Sequence, residues 1–489
     1  MQDGCASWAQ RTFRALPDNV GPIPPRPTQV STSSPQEMSP PHMMYDAVAN
    51  VEPAPAVPLK AAYISESATA AADSGLEPSI IYACTYTDIS VLAHTPEGEH
   101  GAGIYALSFC PKTGSLARLS QTSVSPNPAF LVQHPRHKNI VYGTTEQIQG
   151  DGHIVTYRVA PGGALEVVAS VPAAGRSTCY INIHESCESL IAVNYWDAKT
   201  CTFAMADDGT VAEVPSDVAM QPGAQYVIDN KPGRDEHWCY RQRWPHSHCC
   251  VTEPYSKRYS FVTDLGLDSV FVYEWEHATG KLNEKCQVKL EAGRGPRHIV
   301  FHPTLKTAYI SNELDSTVTA LKYNPKVYNG EGTVVESLQD EGATLEHMQC
   351  LSSLPESWQN TGKVHDNGVW KAASHSAELH IHPTGKFLYV ANRGHDSIAV
   401  YAIHPADGSI SLVEIKPSGG KCPRNFNFDV TGRWIIVGNQ NSNNLTSFRI
   451  NEGTGALTLA CQVDMPLPNY VFSLPASVAT AAAINASEE

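Results

Sequence analysis

The chain has 489 residues, 42% of them hydrophobic and 17% charged, and a formal net charge of −15. That composition supports a sizeable buried core. The acidic balance argues against a nucleic-acid or acidic-membrane surface, both of which need a basic footprint, but it leaves room for a local basic pocket. No apolar run reaches the roughly 18 residues of a membrane helix, and no secretory-type apolar segment follows the N-terminus. The 13 cysteines, an odd number without CxxC spacing, are therefore expected to be reduced thiols of a cytoplasmic protein.

Residues 1–76 read as a disordered tail. Pro22-Ile23-Pro24-Pro25 and Ser39-Pro40-Pro41 are proline-rich, and the surrounding Ser, Ala and Met residues show no period. Such a stretch buries too little apolar surface to offset its chain entropy. Residues 477–489 are alanine-rich and are expected to be a loose C-terminal tail. Between the tails, residues 77–476 carry a repeat.

The unit is clearest around His382-Pro383. A short strand, Leu379 to Ile381, precedes it, and the turn Thr384-Gly385-Lys386 follows. Then come strands Phe387 to Ala391, Ser397 to Ile403 and Ile410 to Ile415. Four short strands separated by turn residues make one blade of a β-propeller. Equivalent anchors are His134, His184, Glu253, His302 and Asp429, so six blades are counted. The strands Ile80 to Ala83 and Gly103 to Leu119 supply most of a seventh, and Asn469 to Leu474 is predicted to complete it by pairing the two chain ends. Closure removes the open sheet edges. The fold is therefore expected to be all-β, a seven-bladed β-propeller of four-stranded antiparallel blades. Residues about 215–244 and 325–373 are read as insertions over one mouth of the channel.

Laying the repeats in register gives two columns near the axis. The residue five before each anchor lies on the innermost strand: Ala129, Cys179, His248, Arg297, Ala377 and Arg424. The residue eleven after each anchor sits just past the second strand: Thr145, Tyr195, Leu265 (after correction for one inserted residue), Glu313, Arg393 and Gln440. A column of Asn and Asp just before it, including Asn312, reads mainly as structural, since these residues bond their own backbone in turns. Charges gathered near an axis are costly unless paired or bound to something. They form either a structural network of Arg with Glu313 or an anion site, in which Arg binds carboxylate or phosphate oxygens and a His/Glu pair moves protons. The blades of Ala129 and Cys179 are expected to contribute mostly shape.

Gly295-Pro296-Arg297-His298-Ile299-Val300-Phe301-His302-Pro303, Asn312-Glu313-Leu314, the run from His382 to Ile398 and Pro423-Arg424-Asn425-Phe426 resemble the lactonase family of seven-bladed propellers. That family includes bacterial-type 6-phosphogluconolactonase and fungal 3-carboxy-cis,cis-muconate cyclase. The resemblance runs from about Ile80 to Leu474. It implies a catalytic set of His248, Arg297, Glu313 and Arg393, the same four that the columns single out. It also implies a small anionic substrate, a phosphorylated or carboxylated lactone, as partner.

For lactone hydrolysis, His248 or Glu313 is the expected general base, with His248 favoured because neighbouring Arg would lower the Glu pKa. Arg297 would hold the oxyanion. Arg393 and Arg424 would bind the substrate's anionic group. His298, Asn312, Tyr195, His246, Glu378 and Gln440 are further candidates for substrate contact. His246/His248 and His380/His382 each form an HxH, which places both imidazoles on one strand face in a metal-compatible way. A third ligand at suitable spacing is not evident, and the resembled cyclase branch needs none, so neither metal nor cofactor is expected. The most favoured activity is a 6-phosphogluconolactonase-like hydrolase. The alternatives are a carboxymuconate cycloisomerase and a non-enzymatic scaffold.

Overall fold

β-Branched and aromatic runs such as Phe387–Arg393 and Trp434–Asn439 form short buried strands, and the turns between them let each hairpin close. The computed structural model describes residues 76–124, 126–224, 241, 242, 244–324, 345–358, 363–366 and 369–485. The expected N-terminal tail lies outside them.

The described strands form seven four-stranded antiparallel sheets, each one blade. Blade 1 takes Ser79–Thr85, Gly103–Phe109 and Leu116–Ser123 from the front of the chain and Pro468–Pro475 from its end. The closing strand pairs Ile80 with Leu474 and Tyr82 with Phe472, as the repeat count requires. Blades 2 to 7 follow in chain order, with innermost strands Pro128–Gln133, Thr178–Ile183, Ser247–Thr252, Pro296–Phe301, His375–Ile381 and Pro423–Phe428. Each innermost strand contacts the next, and that of blade 7 contacts Pro468–Pro475, so the ring closes.

Three expectations need correction. The supposed insertion after residue 215 contains Asp217–Met220, the outermost strand of blade 3. The one after residue 325 contains Leu345–Ser352, the outermost strand of blade 5, and a two-stranded ribbon, Lys363–Asp366 with Val369–Ala372. The C-terminal segment, expected to be loose, forms a helix over Ala476–Asn485. Alanine is the best helix former, and Ala479 is buried in the core shared with blade 2.

Anchor histidines stitch neighbouring blades. His302 Nδ1 accepts backbone N–H bonds from Thr304 (3.1 Å) and Leu305 (2.8 Å). Its Nε2 therefore carries the proton and donates to Gly385 O in blade 6 (2.9 Å). His382 repeats this, accepting from Thr384 N and donating to Gly432 O (2.7 Å) in blade 7. Gly385 has φ +75°, and a Cβ there would lie 2.8 Å from His302 Nε2, so the turn needs glycine. Tyrosines add a second row of stitches: Tyr82, Tyr142, Tyr309 and Tyr389 donate to Gly163, Gly209, Gly408 and Gly455, each in the next blade. Replacing His302 with Ala strands one carbonyl and two N–H groups. The expected loss is about 1–3 kcal/mol, read as a lower urea midpoint with turnover of the folded enzyme preserved.

Candidate active site

The innermost-strand column owes its direction to a backbone irregularity. In blade 5, Pro296 pairs with Asn312 and His298 with Ser311, so Arg297 is an extra residue in a β-bulge. The same shift isolates Ala129, Cys179, His248 and Arg424. In blade 6, Ala377 and Glu378 together face the position of Ala391. Asn469 is the counterpart in blade 1. A bulge re-aims side chains, and here it turns two successive residues of a strand toward the axis. Arg297 with His298 and Arg424 with Asn425 line one narrow cavity, together with His248 and Glu378. The strict alternation of a regular strand would send the second residue of each pair into the sheet. The second column meets the first because an antiparallel innermost strand begins where its neighbour ends. Arg297 follows Pro296 and Glu313 follows that residue's partner, Asn312.

Glu313 is the hub of the cluster. It is 1% exposed. Arg393 Nη2 lies 2.9 Å from its Oε1 and Arg297 Nε lies 3.2 Å from its Oε2. Arg241 also donates to Oε1. Burial alone would raise the Glu313 pKa, but Arg241, Arg393 and Arg297 outweigh it and hold the carboxyl well below its usual range. Arg241 further donates to the Tyr195 hydroxyl (2.8 Å), and His246 stacks on the Tyr195 ring with centroids 4.6 Å apart. Across the channel, Arg424 Nη2 lies 3.8 Å from Glu146 Oε2, and Glu146 also accepts from Tyr86 and Ser177. His298 Nδ1 donates to Glu378 Oε1 at 2.8 Å, and Asn425 donates to the other Glu378 oxygen.

Of the residues expected from sequence, His248, Arg297, Glu313, Arg393, Arg424, His298, Tyr195, His246 and Glu378 come together around the channel. Asn312 does not join them. It is fully buried in the sheet and gives its amide to Thr317 and Thr319, both at 2.8 Å. Gln440 starts a short 3-10 turn and donates to Asn441 (2.8 Å). Arg241 and Glu146 were missed. Arg241 lies in a segment without repeat register, and Glu146 sits one place past the column residue Thr145. Glu146 also adds a charge to the blade of Ala129, which was expected to contribute mostly shape. His94 and His375, half-buried, join the same electrostatic cluster.

Among the described residues, the guanidinium groups of Arg241, Arg297, Arg393 and Arg424 and the carboxylates of Glu146, Glu313 and Glu378 make up this cluster. The buried Arg393 Nε has no hydrogen-bond partner among the described residues. No group of three or more His, Cys, Asp or Glu side chains placed to hold a metal occurs among the described residues.

Residues 80–473 match the family described as Lactonase, 7-bladed beta-propeller. The chain belongs to that family. The 6-phosphogluconolactonase of Bacillus subtilis is 29% identical over 368 residues, covering 75% of this chain and 93% of that one. The 6-phosphogluconolactonase of Formosa agariphila is 29% identical over 363 residues, covering 73% and 91%. A periplasmic gluconolactonase of Pseudomonas aeruginosa has a solved structure that superposes with TM-score 0.64 at 25% identity, covering 81% of this chain and 99% of that one. Within this lactonase-family propeller, the cluster's arginines and glutamates come from blades 2 and 5 to 7 and from the segment before blade 4.

The histidines of the site make the fold acid-sensitive. Burial first, then nearby Arg, holds His246 and His298 at about 4, and His375 at about 3. The unfolded chain protonates these imidazoles near 6.5. Between that pH and about 4 the unfolded state binds more protons, so stability falls as pH falls through this window. Melting temperature is expected to drop steadily from pH 7 to pH 4.5. His246→Phe, which can keep the stack on Tyr195, should flatten the slope, and an unchanged slope would remove His246 from the account.

Proposed function

We propose that the protein hydrolyses the ring ester of a small anionic sugar lactone, with 6-phosphogluconolactone as the foremost substrate. The observation that carries this reading is the gathering of Arg297, Arg393 and Arg424 at one end of the channel, with the buried Arg393 Nε left without an acceptor among the described residues. A phosphate or carboxylate supplies an acceptor for that N–H and a counter-charge for the clustered guanidinium groups. The names of the relatives support the reaction class. Arg393 and Arg424 bind the anionic group, and Arg297 holds the oxyanion that forms when water adds to the carbonyl.

Purified protein should be assayed against 6-phosphogluconolactone, uncharged gluconolactone and 3-carboxy-cis,cis-muconate side by side. Hydrolysis of the phosphorylated lactone, with a clearly higher kcat/KM than for the uncharged one, is expected. Equal rates on both lactones would sink the anionic assignment, and turnover of the muconate alone would replace hydrolysis by cycloisomerisation.

A further inference from the structure

We propose that His298, held by Glu378 and Asn425, is the general base of the hydrolysis, and that Glu313 serves as counter-ion to the arginines. The proposal rests on the lactonase reading above.

Glu313 is badly placed to take a proton. Both its oxygens face guanidinium groups, and three arginines stabilise its charged form. His248 lines the cavity, but among the described residues no carboxylate bonds its ring. Cys179 Sγ lies 3.9 Å from its Nδ1. An imidazolium formed there would stand beside Arg297 and His298, whose opposition outweighs the pull of Glu313.

His298 differs on each point. Its Nδ1–H donates to Glu378 Oε1 (2.8 Å), which leaves the Nε2 lone pair as the acceptor. Arg297 Nη1 lies over the face of the ring, 3.1 Å from Nε2 and 3.4 Å from Nδ1, so the oxyanion donor stands beside the base and leaves the in-plane Nε2 lone pair open. Glu378 is positioned in turn. Asn425 donates to its Oε2, and the Asn425 amide is oriented by accepting the Val471 backbone N–H at 2.8 Å. The chain runs Val471, Asn425, Glu378, His298, through the innermost strands of blades 1, 7, 6 and 5. A carboxylate behind an imidazole fixes its tautomer and offsets the imidazolium formed during the reaction. His298 and Glu378 also line a second cavity, of about 320 Å³, toward the C-terminal ends of the same strands. The pair therefore divides the channel and has polar access to the first cavity.

The step balances as follows. His298 Nε2 takes a proton from water while the water oxygen bonds to the lactone carbonyl carbon. The carbonyl electron pair moves onto oxygen, which accepts an N–H from Arg297. Collapse re-forms the carbonyl and breaks the ring C–O bond, and the leaving alkoxide takes the proton back from His298. Lactone plus water gives the hydroxy acid, which ionises in solvent.

His298→Ala should lower kcat by about 10²–10⁴, with partial recovery on adding imidazole. Glu378→Gln keeps the shape but removes the charge. It should lower kcat with little change in KM and move the acid limb of the kcat/KM profile to lower pH. Loss of folding would show as altered circular dichroism, and imidazole cannot repair it. If imidazole leaves His298→Ala unrescued, and the acid limb follows Glu313→Gln or His248→Gln instead, the assignment is overturned. Turnover with wild-type kinetics in both His298 and Glu378 variants overturns it alone. A wild-type protein inert on every lactone overturns the lactonase reading and the base with it.

Discussion

Arg297→Ala is expected to lower kcat for lactone hydrolysis about 10²–10³-fold, the usual loss when one oxyanion donor is removed, with a much smaller change in KM. Arg297 is only 4% exposed and sits on the blade 5 bulge. Burial, then the charge of Arg393, depresses its pKa to about 10 against the pull of Glu313, so it remains a full cation at neutral pH. A preorganised, buried cation stabilises charge that develops in the transition state more than charge already present in the substrate. Arg297→Lys should recover little, because a single ammonium cannot reach both the Glu313 side and the His298 side as the planar fork does. The decisive measurement is the split between kcat and KM. A loss confined to KM would make Arg297 a binding residue.

The second large effect falls on stability. Glu313→Gln leaves the guanidinium groups of Arg241, Arg297 and Arg393 crowded around a neutral amide. Breaking a buried ionic cluster by neutralising one partner costs about 3–5 kcal/mol, because the remaining charges stay buried without compensation. A melting temperature lowered by several degrees is expected. Inorganic phosphate should raise it more in the variant than in the wild type, since an anion can restore the lost charge. A melting curve indifferent to the substitution would show that the arginines are solvated and the cluster carries no such strain.

The fold was legible because a propeller repeats. Each blade needs the same alternation of short strand and turn, so anchors such as His302-Pro303 and His382-Pro383 recur at blade spacing. Ring closure followed from the incomplete first blade. Less legible were parts that break the repeat. Asp217–Met220 and Leu345–Ser352 sit at the blade edges, where strands are exposed on one side and carry a weak pattern. The helix at Ala476–Asn485 is half alanine and has no amphipathic stripe, so composition suggested a loose end.

By itself the sequence determined the architecture and the two columns that put Arg297, Glu313, Arg393, Arg424 and His248 near one axis. Register alone suffices for that, since equivalent positions of a closed repeat converge by symmetry. Only the tertiary structure decided what those residues do to one another. The bulges turn His298 and Asn425 inward beside Arg297 and Arg424, against the alternation a regular strand would impose. Glu146, one place off the column, and Arg241, outside any repeat, complete the charge balance. Pairing between side chains from different blades depends on distances of a few tenths of an ångström. A linear pattern does not encode these, and packing seven sheets around the channel sets them.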